Sequence, residues 1–266
     1  MSKLIADIGG TNARFALVEQ GEITHVEVLA CADHPTLAGA SAYYLKRVEA
    51  TPETGAFAVA APLDGTDRVS MMNHSWAFSI QDTAQKIGLK SLLVINDFTA
   101  LAHAVPALKP QDYKQLGSGT AQPGMPIGII GPGTGLGVAG VVFADGKPVA
   151  VTTEGGHVTI PASTPRELAL FEFLKRSKYS HISAERVCSG KGLVNLYDAI
   201  CGVDNLSLPD RTPAEITENG LKKTCPVCVE ALDLFCHFLG VVAGNLALSY
   251  GAFGGIYIAG GIVTQL

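Results

Sequence analysis

Two glycine-rich loops, each entered and left by an apolar run, constrain this fold most. The first reads Asp7-Ile8-Gly9-Gly10-Thr11-Asn12 after Leu4-Ile5-Ala6, and the second Gly131-Pro132-Gly133-Thr134-Gly135 after Ile127-Gly128-Ile129-Ile130. Thr11 recurs as Thr134, 123 residues on, and the turn glycine Gly21 recurs as Gly146, 125 residues on. A repeat of that length is a duplicated domain, far beyond the 20–50-residue period of a solenoid. Glycine lets a chain turn at positive φ and lets backbone N–H groups approach an anion with no Cβ between. The expectation is an α/β chain of two lobes, each presenting a loop to a phosphate.

The local pattern supports this. Short β-rich runs cover Leu4 to Ile8, Arg14 to Val18 and Ile23 to Leu29, with a turn at Gln20-Gly21. The later copy covers Pro126 to Ile130, Leu136 to Phe143 and Pro148 to Thr152, with a turn at Asp145-Gly146. Between them the sequence predicts a small-residue strand over Ala56 to Ala61, a capped helix over Ser79 to Gly88 and a buried strand over Ser91 to Ile95. Pro106 and Pro110 interrupt any helix near residues 107–114, which sets the expected lobes at 1–109 and 110–266. Thr164-Pro165-Arg166-Glu167 reads as a capping box opening a helix, and Pro226 opens a long one that stops at Gly251. Gly254 to Gly261 reads as a buried strand running into another glycine turn, where the chain is expected to stop in mid-unit.

Composition removes several classes. With 47% apolar and 16% charged residues the chain is not of disordered composition, and a net charge of −5 carries no footprint for nucleic acid or an anionic membrane. The uncharged stretches from Ile127 to Ala144 and from Phe238 onward are broken by glycines, so they are expected as buried strands and a core helix. Six scattered cysteines and the lack of a signal-like start suggest free thiols in the cytoplasm.

Asn96-Asp97 follows the apolar run Leu92-Leu93-Val94-Ile95, at the carboxyl end of a strand, where open α/β sheets bind ligands. An Asp there either accepts a proton from a substrate hydroxyl or caps the next helix. Glu154-Gly155-Gly156-His157 holds a carboxylate and an imidazole that can clamp vicinal hydroxyls. The competing metal reading would add Cys225 and Cys228, but that CxxC lacks a second well-spaced pair, and no zinc is expected. Glu185, beside Arg186, reads alone as a solvated surface carboxylate. Asn73-His74 beside Trp76 either lines a pocket or belongs to packing. The loops close with no Gly-Lys-Ser/Thr and lead into strands, so they are neither a Walker loop nor a dinucleotide fingerprint. Asp7 is placed to hold Mg²⁺ through water.

Taken together, these segments resemble the bacterial, proteobacterial-type glucokinases. The resemblance rests on Asp7-Ile8-Gly9-Gly10-Thr11-Asn12-Ala13-Arg14, Asn73-His74-Ser75-Trp76, Ile95-Asn96-Asp97-Phe98-Thr99-Ala100, Gly133-Thr134-Gly135-Leu136-Gly137, Glu154-Gly155-Gly156-His157 and Ser183-Ala184-Glu185-Arg186-Val187. Gly192 to Tyr197 and Gly254 to Val263 continue it. It implies a duplicated actin-like (ribonuclease H-like, hexokinase-like) fold with two lobes around a cleft, and ATP-dependent phosphorylation of glucose to glucose 6-phosphate. It implies glucose held by Asn96, Asp97, Glu154, His157 and Glu185, with Asp97 as general base. ATP phosphates would lie against Ala6, Asp7, Ile8, Gly9, Gly10, Thr11, Gly131, Gly133, Thr134 and Gly135, with the adenosine near Gly254 to Gly261. A homodimer is implied as well.

The chain departs from its kin in two respects. It lacks the cysteine-rich zinc motif and DNA-binding helix pair of the related repressor–kinases. Family members also continue past Leu266, so a lost tail and impaired catalysis are expected. The rival readings are a kinase of another hexose and an inactive or sugar-binding regulatory relative.

Overall fold

The computed structural model describes residues 2–71 and 74–266. Asn73, paired above with His74 as a candidate pocket residue, lies outside the described residues. The chain forms two compact units, Met1–Leu101 and Ala102–Leu266.

The first unit opens with three antiparallel strands, β1 (Lys3–Ile8), β2 (Asn12–Glu19) and β3 (Glu22–Ala30). After α1 (Leu37–Arg47), strand β4 (Thr54–Val59) joins β1 in parallel. A small hairpin, β5 (Arg68–Ser70) with β6 (Ala77–Ser79), leads into α2 (Ile80–Lys86). Strand β7 (Ser91–Asn96) then pairs in parallel with β4, giving the order β3-β2-β1-β4-β7. The turn between β2 and β3 places Gln20 and Gly21 at positive φ. Ser79 caps α2 by accepting the Asp82 N–H at 2.9 Å. Phe15 stacks on Tyr44 at 5.3 Å between centroids, and Phe57 meets Phe15 edge-on, so the core lies between the sheet and α1.

The helix α3 (Asp97–Ala104) starts directly from β7 and reaches the boundary of the units. The second unit repeats the meander: β8 (Ile127–Pro132), β9 (Leu136–Ala144) and β10 (Lys147–Thr152) are antiparallel, with Asp145 and Gly146 at positive φ in the turn. Four helices follow: α4 (Pro165–Ser177), α5 (Gly190–Val203), α6 (Pro213–Leu221) and α7 (Pro226–Tyr250). Strand β11 (Ile256–Ile258) pairs in parallel with β8, giving the order β10-β9-β8-β11. The parallel strand therefore joins the first strand of the meander in both units, which is the duplication expected from the spacing of the loops.

Helix α7 runs from Pro226 to Tyr250 and ends at Gly251 in the left-handed conformation, φ 56°, where an L side chain would be strained. On length and composition it could cross a bilayer, but Val227, Ala231, Phe235, Phe238 and Val242 pack into the core of the second unit. Close approach to the sheet depends on glycine. A Cβ on Gly140 would run into the Tyr250 ring, and one on Gly128 would strike Leu246 and Ile256.

Three local expectations are corrected. Strand β7 is not a buried strand: it lies at a sheet edge, and Leu93 is 58% exposed. The same holds for β11, where Ile258 is 37% exposed. The capping box at Thr164 is half-formed. Thr164 accepts the Glu167 N–H at 3.2 Å, but the Glu167 carboxylate takes the N–H of Ser163, one residue ahead of the cap, at 2.6 Å.

Candidate active site

The register of the first sheet aligns its functional residues. Ile8, Val59 and Asn96 stand side by side at the carboxyl ends of β1, β4 and β7, so Asp7 and Asp97 belong to one rim of the sheet. Asn96 is the cap of α3: its Oδ1 accepts the N–H groups of Phe98 at 2.9 Å and Thr99 at 3.1 Å. Its amide donates to Asp97 Oδ1 at 2.9 Å, and Oδ1 also accepts the Phe98 N–H at 2.9 Å. The capping role that Asp97 might have filled thus falls mainly to Asn96. Asp97 is left half-buried, fixed through one oxygen. Burial raises its pKa above the ordinary 3.8, and the negative charge of Asp7 raises it further. A carboxylate whose charge is disfavoured is a better proton acceptor than a free one.

Asp7 faces Arg14 directly across β1 and β2, with Oδ2 at 3.0 Å from Nη1. The loop beyond it is a tight connection in which the Gly9 N–H donates to the Asn12 carbonyl at 2.9 Å. The N–H groups of Gly10 and Thr11 have no hydrogen-bond partner among the described residues. Neither Gly9 nor Gly10 adopts positive φ, and the same is true of Gly131, Gly133 and Gly135. The positive-φ part of the expectation is corrected for these five glycines, and at Gly135 the lack of a Cβ serves close approach instead.

Gly135 makes this concrete. The Glu185 carboxylate accepts the Leu136 N–H at 3.0 Å, so a Cβ on Gly135 would collide with Glu185 Oε2. Glu185 is therefore not the solvated surface group that its sequence neighbours suggested. Gly133 closes the loop by donating to the Gly135 carbonyl at 2.8 Å, and its own carbonyl accepts the Gly190 N–H at 2.8 Å from the start of α5.

The Glu154–His157 turn is held against the same end of β9. Thr153 Oγ1 donates to the Val138 carbonyl at 2.8 Å and accepts the Gly155 N–H at 3.1 Å. A Cβ on Gly156 would overlap the Leu136 carbonyl. His157 Nε2 lies 3.8 Å from Glu154 Oε2, and both side chains are exposed. An antiparallel bridge between Thr159 and Ser183 brings this turn beside the Ala184–Arg186 turn that carries Glu185. The second unit thereby gathers the Gly133–Gly135 loop, Glu154, His157 and Glu185 in one region. A cavity of about 260 Å³ there is lined by His157, Tyr179, His181, Ser183 and Arg186 among others. A larger cavity of about 550 Å³, lined by residues such as Leu45, Pro52, Ile87 and Lys90, contains none of the site residues.

Trp76 belongs to packing: it is buried and its Nε1 donates to the His34 carbonyl at 3.0 Å. Among the described residues no group of three or more His, Cys, Asp or Glu side chains is arranged for a metal ion. A magnesium ion does not need one, since it takes one or two carboxylates and fills its remaining positions with water and substrate phosphates. The exposed carboxylate of Asp7 suits that role.

The fold and the two glycine loops define a sugar kinase of the actin-like ATPase class. A glucokinase from an Antarctic psychrotroph superimposes with a TM-score of 0.85 at 36% identity, over 99% of this chain and 84% of that one. A glucokinase of the sugar-kinase family called ROK from Streptomyces griseus, solved with glucose and AMPPNP, shares the fold with a TM-score of 0.65 at 20% identity, over 100% of this chain and 85% of that one. The glucokinase family model matches residues 4–266, and the glucokinase of Paramagnetospirillum magneticum is 48% identical over 99% of this chain and 83% of its own length. The chain belongs to the glucokinase family, and its reaction is the ATP-dependent phosphorylation of glucose.

Proposed function

We propose that the chain transfers the γ-phosphoryl group of ATP to the 6-hydroxyl of D-glucose, with Asp97 as general base. The observation that carries this reading is the half-buried Asp97 carboxylate, oriented by Asn96 at the end of β7 and raised in basicity. The 6-hydroxyl oxygen attacks the γ-phosphorus, its proton passes to Asp97, and the bond to the β–γ bridging oxygen breaks to release ADP. The N–H groups of Gly10 and Thr11, and the loop from Gly131 to Gly135, are assigned to the phosphate oxygens. Asn96, Glu154, His157 and Glu185 are assigned to the sugar hydroxyls, which an epimeric hexose would leave partly unpaired. Mg²⁺ held through water by Asp7 would offset negative charge on the phosphates.

Lobe limits at 1–109 and 110–266 rest on the prolines Pro106 and Pro110, while a homodimer and a place in glycolysis follow from the resemblance. Six free cysteines suit a reducing cytoplasm. Light scattering reads the oligomeric state directly.

The deciding experiment compares Asp97→Asn with the wild type by a glucose 6-phosphate assay and by glucose-binding calorimetry. Retained binding with turnover reduced about 10²–10⁴-fold supports the general base. Near-normal turnover removes Asp97 from that role. A panel of hexoses separates glucose from the rival substrates by their ratios of kcat/KM.

A further inference from the structure

We propose that the cavity of about 260 Å³ beside His157 binds a small phosphate-class oxyanion, and that its occupant antagonises glucose. The site itself is independent of the kinase reading. The antagonism rests on the assignment of His157 to the sugar.

The cavity lies within the second unit, where the chain leaving α4 meets the Thr159–Ser183 bridge and the Ala184–Arg186 turn. Lys178, Arg186, His157, His181, Ser183 and Tyr179 line it, and no Asp or Glu does. Ammonium, guanidinium, imidazole and hydroxyl donors therefore face one space with no carboxylate to repel an anion. The nearby carboxylates are engaged elsewhere. Glu185 accepts the Leu136 N–H, and Asp198 takes Lys178 Nζ at 2.6 Å. Arg186 differs from Lys178: its guanidinium stacks 4.2 Å from the centre of the Tyr179 ring, and among the described residues no carboxylate pairs with it. Stacking uses the face of the guanidinium and leaves its N–H edge for a ligand. His181 Nε2 is held by Thr159 Oγ1 at 2.8 Å, so Nδ1 is the ring nitrogen left over.

Ser183 supplies a second, independent observation. It is 4% exposed and stands at the N-cap of the Ala184–Arg186 turn, yet its hydroxyl makes no capping hydrogen bond. Among the described residues nothing else takes that hydroxyl. Buried side-chain hydroxyls are ordinarily bonded, and this one lines the cavity. Water would satisfy the hydroxyl alone; an oxyanion satisfies it together with the Arg186 guanidinium. The C-terminal end of α4 opposes an anion nearby. That end is already muted, because the Leu174 carbonyl accepts the N–H groups of Lys178 and Tyr179, and Lys175 and Arg176 stand in the last turn.

His157 forms part of the cavity wall and is also assigned to a sugar hydroxyl. An anion that takes this imidazole withdraws it from the sugar, so the two ligands compete for one side chain.

The test titrates sodium phosphate, and separately glycerol 3-phosphate, into the full chain by calorimetry. Binding is expected, weakened about 10–100-fold by Arg186→Gln and about 10-fold by Ser183→Ala. Ser183→Ala removes a hydroxyl that bonds nothing in the chain, so its melting temperature without phosphate should not fall, which separates loss of the site from loss of the fold. Lys90→Gln, at the other cavity, should bind as the wild type does. Tighter binding of the ester assigns the site to a phosphorylated metabolite, and tighter binding of phosphate to the free ion. No binding, or unchanged affinity in both the Arg186 and Ser183 variants, overturns the site. Glucose should bind more weakly in saturating phosphate to the wild type and not to Ser183→Ala; an unchanged affinity in the wild type overturns the antagonism. Glucose binding by His157→Ala without phosphate should be weakened. If it is not, the sugar assignment of His157 fails and the antagonism with it, while the anion site stands on its own titration.

Discussion

The Glu185 carboxylate accepts the Leu136 N–H at 3.0 Å across 49 residues of chain. This contact ties the second glycine loop to the turn at Ala184–Arg186, and it requires that residue 135 have no side chain. Gly135→Ala is expected to displace Glu185 and reduce kcat/KM for glucose about 10–100-fold, the value of a hydrogen bond to a charged group. Thermal unfolding should move little, because the loop lies outside the cores. A parallel loss in Glu185→Gln would tie the effect to the carboxylate, and unchanged kinetics in both variants would sever it.

The charge state of Asp97 gives a second prediction. Its pKa is raised in the folded chain, first by burial and then by Asp7. The folded state therefore binds more protons than the unfolded one between the ordinary value of 3.8 and the folded value, and stability falls as pH rises through that window. Above it the penalty is constant. Asp97→Asn should thus raise the melting temperature at neutral pH and lose that advantage below the unfolded value. Carbon NMR titration should place the Asp97 carboxyl above 3.8, and Asp7→Asn should lower it.

Gly156→Ala tests the packing of the Glu154–His157 turn. The new methyl would overlap the Leu136 carbonyl, which is backbone and cannot swing away. A loss of about 1–3 kcal/mol in urea unfolding is expected. Glucose affinity should fall as well if the turn carries sugar contacts.

Arg166 joins three helices by side chains alone. From α4 it makes paired contacts of 2.6 and 2.7 Å to Asp204 at the end of α5, and its Nε donates to Glu230 of α7 at 2.7 Å. The group is about one-third exposed, so water screens it, and Arg166→Ala should cost only about 1 kcal/mol. Arg166→Lys should not restore it, because an ammonium cannot reproduce the planar fork. Unfolding at low and high salt would read both statements.

How much of this was legible in the sequence depended on the range of the interaction. Helix ends were, because Ser79, Pro226 and Gly251 act on their immediate neighbours. The duplication was legible because the same turn chemistry recurs at Gly21 and Gly146. The exposure of Leu93 was not, because an apolar run reads the same at an edge as in the centre of a sheet. Nor was the placement of Glu185, whose partner is distant in the chain. Of the two reasons read for the loop glycines, positive φ does not apply at Gly135, and the crowding that excludes a side chain at Gly135 and Gly156 comes from Glu185 and Leu136, which no local pattern reveals.

Strand β4 contributes no candidate catalytic group, yet it lies between the strand that carries Asp7 and the strand that leads to Asp97. Two inter-strand spacings of about 4.8 Å therefore set the gap between those strands. The strand works as a gauge block: Phe57 anchors it in the core, and its alignment with Ile8 and Asn96 sets the spacing. A one-residue slip of β4 would leave every proposed reactive group intact and still put the two carboxylates out of step.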